Sequence, residues 1–195
     1  AAHKLIADEG GNPIFLSKEC TSNGSIGTVD VSYPSMPLYL LLAPELVAGM
    51  LRPVFRFAGS SHWSQEYAPH DVGTYPRATG QTYGVRIESV DENRQMPVEE
   101  CGNMLIMTAA YTFRSGNRNL ALENWDLLKQ WVDYLVEHGL DPKNQLCTDD
   151  FAGHLARNAN LSVKAIVGIA CFATLCDLTG QQGGDRYRAI ATEYA

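Results

Sequence analysis

Five segments of this chain carry the apolar spacing or the end signals of α-helices, and their connections alternate between long loops and short turns. The connections at 59–96 and 140–159 are long, whereas those at 115–117 and 180–184 span only a few residues. Helices joined by short turns run antiparallel, so long loops that alternate with short turns emerge at the same end of the stack. The pattern therefore predicts antiparallel helical hairpins whose two long loops lie close together.

Local signals mark several helix ends. Pro97 suits the first turn of a helix, and Glu99 and Glu100 follow it at the positive end of the helix dipole. The pair His138-Gly139 is typical of a helix C-terminus. The helix over 160–179 is apolar almost all round, so we expect it to be deeply buried.

The N-terminal part has a different pattern. Residues 3–17 read as a short β-hairpin, and an apolar helical stripe begins at Ser35, which Pro44 and Pro53 should break or kink. A last helix starts at Asp185. Five helices are too few to close a barrel, so the sequence predicts a mainly all-α chain. We interpret it as roughly half of an α-hairpin toroid with an N-terminal β-hairpin and long loops, in which self-association can cover exposed faces.

Composition excludes several classes of protein. Of the 195 residues, 45% are hydrophobic and 19% are charged, which is enough apolar material for a core. The formal net charge of −7 argues against binding to nucleic acid or to an anionic membrane surface. No uninterrupted apolar stretch approaches ~20 residues, so we expect no membrane span. No basic-then-apolar signal peptide opens the chain.

Carboxylates collect in the two long loops and form the candidate site. Glu99–Glu100 and Asp149–Asp150 are candidate catalytic pairs, with Asp30 and Asp71 orienting substrate or water. Two carboxylates about 6.5–9.5 Å apart can hydrolyse a glycoside, and the same pair can assist amide hydrolysis as general acid and base. The structural alternative is that both pairs only cap helices or loops.

Other reactive residues fit weaker patterns. His70-Asp71 and Asp150 with His154 do not match a recognised metal-ligand spacing, and a hydrogen-bonded structural pair is the simpler interpretation. We therefore expect neither a metal nor another cofactor. Cys101 and Cys147 stand beside acids, which raise a thiol pKa, so we expect packing roles. Four loop aromatics form a stacking wall for a ligand or simply anchor the loop: Trp63, Tyr67, Tyr75 and Tyr83.

Five consecutive motifs carry a family resemblance. They are SNGSIGTVD at 22–30, YPS at 33–35, APHDVGTYP at 68–76, MPVEECGNMLI at 96–106 and QLCTDDFAGH at 145–154. These motifs closely resemble the central domain of the glutaminase A family, large secreted proteins of fungi and of polysaccharide-degrading bacteria. The resemblance covers nearly the whole chain.

The resemblance implies a six-hairpin (α/α) toroid, a fold shared with several glycosidase families, and an L-glutamine amidohydrolase activity. It also implies that residues 1–195 are the N-terminal half of the six-hairpin domain, with a β-rich domain upstream and further hairpins downstream as partners. By the same resemblance we expect a secreted or periplasmic protein.

Three functional hypotheses follow. The first is a glutamine hydrolase in which Glu99, Glu100, Asp149 and Asp150 are catalytic. Its substrate-binding residues would be Asp30, His70, Asp71, Tyr75, Asn103 and His154. The second is a domain that hydrolyses or binds a sugar, because carboxylates and loop tyrosines also suit a glycan. The third is a structural fragment without catalysis.

Overall fold

The computed structural model describes residues 3–86, 89–148 and 154–195. In this part of the chain, seven α-helices and two small antiparallel sheets form a mainly α-helical fold, which confirms the predicted fold class. The helices are α1 Val29–Leu42, α2 Pro44–Ala58, α3 Pro97–Ser115, α4 Asn119–Glu123, α5 Trp125–His138, α6 Ala159–Thr179 and α7 Gly184–Tyr194. The strands are β1 His3–Ala7, β2 Pro13–Ser17, β3 Val85–Arg86 and β4 Ser89–Val90, and a short 3-10 helix covers Glu92–Arg94.

The N-terminal β-hairpin forms where the sequence predicts it. Strands β1 and β2 pair antiparallel, with His3 opposite Ser17. Asp8 closes the turn by accepting the Asn12 backbone N–H at 2.8 Å, and it also forms an ion pair with Arg56 of α2. Phe15 packs closely on α2, where a side chain at Gly49 would approach Phe15 Cβ to 3.0 Å. The hairpin is therefore fixed to the helical layer.

Helix α1 begins at Val29, six residues before the expected start at Ser35, and continues through Pro34 and Pro37. Tertiary contacts hold its first turn, because the Val29 N–H donates to the carbonyl of His70 at 2.9 Å. The expected start was wrong because it followed the apolar stripe, which begins at Ser35, and the local sequence does not reveal the His70 contact. As a consequence, Asp30 lies in the first turn of α1 rather than in a loop.

The two other predicted proline effects differ from each other. Helix α1 ends at Leu42, Ala43 separates the two helices, and Pro44 begins α2, as expected of a first-turn proline. Pro53 instead lies inside α2, which continues through it. The helix expected up to His138 divides into α4 and α5 at Asn124, whose Nδ2 donates to the Leu120 carbonyl at 2.8 Å. This side-chain hydrogen bond competes with the helical backbone pattern.

Helix α6 packs against α3, α5 and α7. Leu161 and Ile169 are fully buried, whereas Val163 and Val167 are 57% and 42% exposed. The expected burial of this helix all round is therefore correct for one face only. Among the described residues, α6 is also the one helix long and apolar enough to cross a membrane by length and composition, a property that core helices share.

The two long loops meet at the N-terminal end of α3, as the alternation of connections predicts. The Val98 N–H donates to Gln145 Oε1 at 3.0 Å, and the Leu146 N–H donates to the Gln95 carbonyl at 3.2 Å. The first long loop also pairs with the segment before α1, since the Ile26 N–H donates to the Gly73 carbonyl at 2.8 Å. The N-termini of α1 and α3 are thereby brought together.

Candidate functional site

Three acids and a histidine come together where these helix N-termini meet, and we call Asp30, Glu99, Glu100 and His70 the acid cluster. Asp30 lies in the first turn of α1, and Glu99 and Glu100 lie in the first turn of α3. One carboxylate oxygen each of Asp30 and Glu100 and one ring nitrogen of His70 lie within 4.8 Å of one another. Packing has therefore joined residues that are far apart in the sequence.

Glu99 is firmly held by the second long loop. Its Oε2 accepts the Thr148 backbone N–H at 2.8 Å, and its Oε1 accepts the Thr148 hydroxyl at 2.8 Å. The Lys164 ammonium lies 4.0 Å from Glu99 Oε1. Because both oxygens are engaged, the geometry suits Glu99 to positioning the loop and shaping the charge of the site.

Glu100 is fully buried and only half satisfied. Its Oε2 accepts an N–H from Asn103 at 3.0 Å, while its Oε1 has no hydrogen-bond partner among the described residues. Asn103 in turn accepts from Lys164 Nζ at 2.6 Å, and that ammonium lies 3.7 Å from the centre of the Tyr33 ring. One Glu100 oxygen is thus fixed in orientation and the other is available.

His70 is oriented by its neighbour Asp71. The Nδ1 atom of His70 lies 3.0 Å from Asp71 Oδ2, and its Nε2 atom lies 3.7 Å from Asp30 Oδ1. Asp71 is fully buried, and it also accepts the backbone N–H groups of Gly73, Thr82 and Tyr83 at 2.8, 3.1 and 3.3 Å. Its carboxylate therefore organises the loop and aims the His70 ring at Asp30.

Burial and mutual repulsion change the acidities in the cluster. Burial, together with the charges of Asp30 and Glu99, raises the pKa of Glu100 well above its ordinary value. Burial also raises the pKa of Asp30, against the opposing effect of His70. For His70, burial lowers the pKa, but the Asp71 hydrogen bond and the nearby carboxylates outweigh it and raise the pKa overall. Burial lowers the pKa of Lys164, against the attraction of the acids.

The other residues predicted for the site lie apart from this cluster or cannot be placed. Asp149 and Asp150 lie outside the described residues. Tyr75 is 44% exposed, its ring lies against the ammonium groups of Lys4 and Lys18, and its backbone N–H donates to the Gly24 carbonyl at 3.0 Å. His154 is exposed, and no described contact joins it to the acids. Asp30, His70, Asp71, Glu99, Glu100 and Asn103 are brought together.

Two members of the site were missed at the sequence level. Thr148 links the loops, because its hydroxyl also lies 3.3 Å from Asp30 Oδ2. Lys164 supplies the cation near the acids. It is the one charged residue between Ala159 and Cys176 in an otherwise apolar helix, and that isolation was the available signal. Thr148 carried no comparable signal.

Cys101 and a surface groove are less suited to a functional site than the acid cluster. Cys101 is buried, its Sγ accepts the Ala68 N–H at 3.3 Å and burial raises its thiol pKa, which fits the expected packing role. A groove of about 400 Å³ lies between the β-hairpin and α2. Its described lining includes the Asp8–Arg56 ion pair and His62 but no member of the acid cluster.

The fold and the site together define a hairpin-built, mainly α-helical domain with buried carboxylates at the junction of its long loops. Over residues 1–195 the chain matches the glutaminase A six helical-hairpin domain, and it belongs to that family. It is 38% identical over 185 residues to glutaminase A of Aspergillus oryzae (strain ATCC 42149 / RIB 40), covering 94% of this chain and 26% of that protein.

A second relative is a "Probable glutaminase" of Arthroderma benhamiae (strain ATCC MYA-4681 / CBS 112371). It is 33% identical over 233 residues, covering 90% of this chain and 26% of the relative. The chain thus spans about a quarter of the length of these curated relatives. Their names support a glutaminase-related function for the family to which this chain belongs.

Proposed function

We propose that the natural protein hydrolyses the side-chain amide of L-glutamine at the acid cluster. The observation that carries the proposal is the available Oε1 of buried Glu100, beside Asp30 and His70, in a chain 38% identical to a curated glutaminase A. We also propose that the rest of the natural protein and the Asp149–Asp150 pair contribute to this site.

Amide hydrolysis needs a group that takes a proton from the attacking water and a group that protonates the departing ammonia. Glu100 is suited to proton transfer because one of its oxygens is fixed by Asn103 and the other is available. Glu99 is suited to a positioning role, since Thr148 and Lys164 hold it. His70 is oriented toward the cluster by Asp71 and can orient substrate or water.

The first test is ammonia release from L-glutamine by the full-length natural protein and by two variants, Glu100→Gln and Asp150→Asn. Loss of a general acid or base should lower kcat/KM by about 100-fold or more. Glu137→Gln is the matched control, because its side chain is 77% exposed on α5, and it should retain the wild-type rate.

Circular dichroism establishes that each variant is folded. Wild-type turnover by both folded variants would remove these residues from the chemistry. Release of reducing sugar from glycans without release of ammonia would replace this proposal with the glycosidase hypothesis. The close approach of Asp30 and Glu100, within 4.8 Å, is shorter than the about 6.5–9.5 Å of inverting glycosidases and argues against that pair in such a role.

A further inference from the structure

We infer that the acid cluster binds a divalent transition-metal ion through Asp30 Oδ1, His70 Nε2 and Glu100 Oε1. The three residues come from separate segments, and one ligand atom of each lies within 4.8 Å of the others. Asp30 Oδ1 lies 3.7 Å from His70 Nε2. Neighbouring ligands around a tetrahedral zinc ion with bonds of about 2.0–2.1 Å are about 3.4 Å apart. The three side chains need only a small contraction to reach that geometry.

Asp30 and Glu100 each have one unsatisfied carboxylate oxygen. Glu100 Oε1 and Asp30 Oδ1 are buried and have no hydrogen-bond partner among the described residues, and Glu100 as a whole is 0% exposed. An unpaired buried carboxylate oxygen is costly, so such atoms normally face a donor or a cation. This observation is independent of the acids merely being near one another.

The second polar atom of each proposed ligand is already engaged, which orients the first. Glu100 Oε2 accepts from Asn103 at 3.0 Å, and Asp30 Oδ2 lies 3.3 Å from the Thr148 hydroxyl. His70 Nδ1 lies 3.0 Å from Asp71 Oδ2. A metal-bound histidine usually donates its other ring N–H to a carboxylate, which leaves the opposite nitrogen lone pair for the metal. The cluster has this arrangement.

The charge of the surroundings also favours a cation. Asp30, Asp71, Glu99 and Glu100 contribute carboxyl groups, and Glu19 is near enough to act on both Asp30 and His70. Lys164, 4.0 Å from Glu99, is the cationic side chain that the described part of the chain places here. A divalent ion would offset the excess negative charge.

The ligand types indicate the class of metal. An imidazole with two carboxylates suits Zn²⁺ or Mn²⁺, whereas Ca²⁺ and Mg²⁺ prefer ligand sets composed of oxygen. Three protein ligands leave a position for water, as in catalytic zinc sites. The inference uses the residues of the proposed function but does not depend on that reaction, because metal binding is measured without turnover. With the ion bound, Glu100 Oε1 would hold the metal in place of the proton transfer proposed for it above, and the ion would supply the activation of water.

The test uses the full-length natural protein, stripped of metal with a chelator and titrated with Zn²⁺ by calorimetry, with metal content measured independently. The variants are His70→Gln and Asp30→Asn, and the matched control is His62→Gln, because His62 is exposed. Each ligand variant should lose one equivalent of Zn²⁺ or bind it at least about 100-fold more weakly. The control should bind as the wild type does.

A second measurement needs no variant. Zn²⁺ at about 100 times its Kd should raise the Tm of the stripped wild-type protein, because it binds the native state. Equal zinc affinity and stoichiometry in wild type, His70→Gln and Asp30→Asn would overturn the site, as would binding of Ca²⁺ but not Zn²⁺. Glutamine turnover by metal-free protein that does not bind Zn²⁺ would overturn this inference and leave the proposed function standing. Zinc binding without glutamine turnover would overturn the proposed function and leave this inference standing.

Discussion

Among single residues, Asp71 has the most demanding environment. It is fully buried, and its two oxygens lie within hydrogen-bonding distance of the His70 ring and three backbone N–H groups. The sequence predicts that Asp71 orients substrate or water. In the structure its contacts build the first long loop and orient His70. Its role toward substrate or water stays a prediction.

Asp71→Asn should lower the free energy of unfolding by about 3 kcal/mol, since an amide nitrogen replaces one acceptor and the charge-assisted hydrogen bonds are lost. Urea denaturation of wild type and variant side by side measures the change. The control is Asp141→Asn, whose side chain is 71% exposed in a surface ion pair and should change stability by no more than about 0.5 kcal/mol. Equal, small effects of both substitutions would contradict the assigned role.

At the scale of elements, α3 and α6 approach closely because each has a glycine at the crossing. A Cβ atom at Gly168 would lie 3.2 Å from Gly102 Cα and 2.9 Å from Leu135 Cδ1. The same close approach carries Lys164 of α6 to Asn103 of α3. The helix crossing therefore positions Lys164, the cationic residue of the site, and also packs α3 and α6 together in the core.

Gly168→Val should destabilise the protein by about 2–3 kcal/mol, because the added side chain on α6 has to push α3 and α5 away from α6. Ala170→Val is the control on the same helix, since Ala170 is exposed. Thermal unfolding compares the two variants with wild type. An Ala170→Val variant that is as unstable as Gly168→Val would show that β-branching in the helix, rather than the crossing, causes the loss.

At the scale of the whole molecule, two helices in the described part of the chain present uncovered apolar faces. On α1, Leu38, Leu41 and Leu42 are 56%, 70% and 71% exposed, and on α6 Val163 and Val167 are also exposed. Leu38 precedes Leu41 and Leu42 by three and four positions, and Val163 precedes Val167 by four, so each helix exposes these residues on one side. Apolar faces of this kind normally pack against another surface, either further helical hairpins or a second copy of the chain.

We expect the 195-residue chain to self-associate when it is produced alone. Leu41→Glu combined with Leu42→Glu should shift it to the monomer, because the charges oppose burial of the α1 face. Light scattering after size-exclusion chromatography measures the mass. Gln181→Glu with Gln182→Glu adds the same charge at exposed loop positions and should leave the assembly intact. A monomeric wild-type chain with native helical content would refute the expectation.

Most helix ends were predictable because their causes are local. Pro97 begins α3, Gly116 ends it in a left-handed conformation with φ 70°, and Gly180 ends α6 with φ 75°. Prolines at first turns and glycines after last turns act through their own backbone preferences, which need no partner elsewhere. The start of α1 escaped prediction because a contact with His70, distant in sequence, holds it.

The sequence by itself determined the helical segments, the β-hairpin and the shared end of the two long loops, since apolar period, capping and connection length are properties of neighbouring residues. It also named Asp30, Glu99 and Glu100 of the acid cluster as candidates. Only the tertiary structure decided which of them meet: Asp30, His70 and Glu100 converge from separate segments, Lys164 joins them across a helix crossing and Tyr75 stays outside. Spacing along the chain does not encode such distances, because packing between elements sets them.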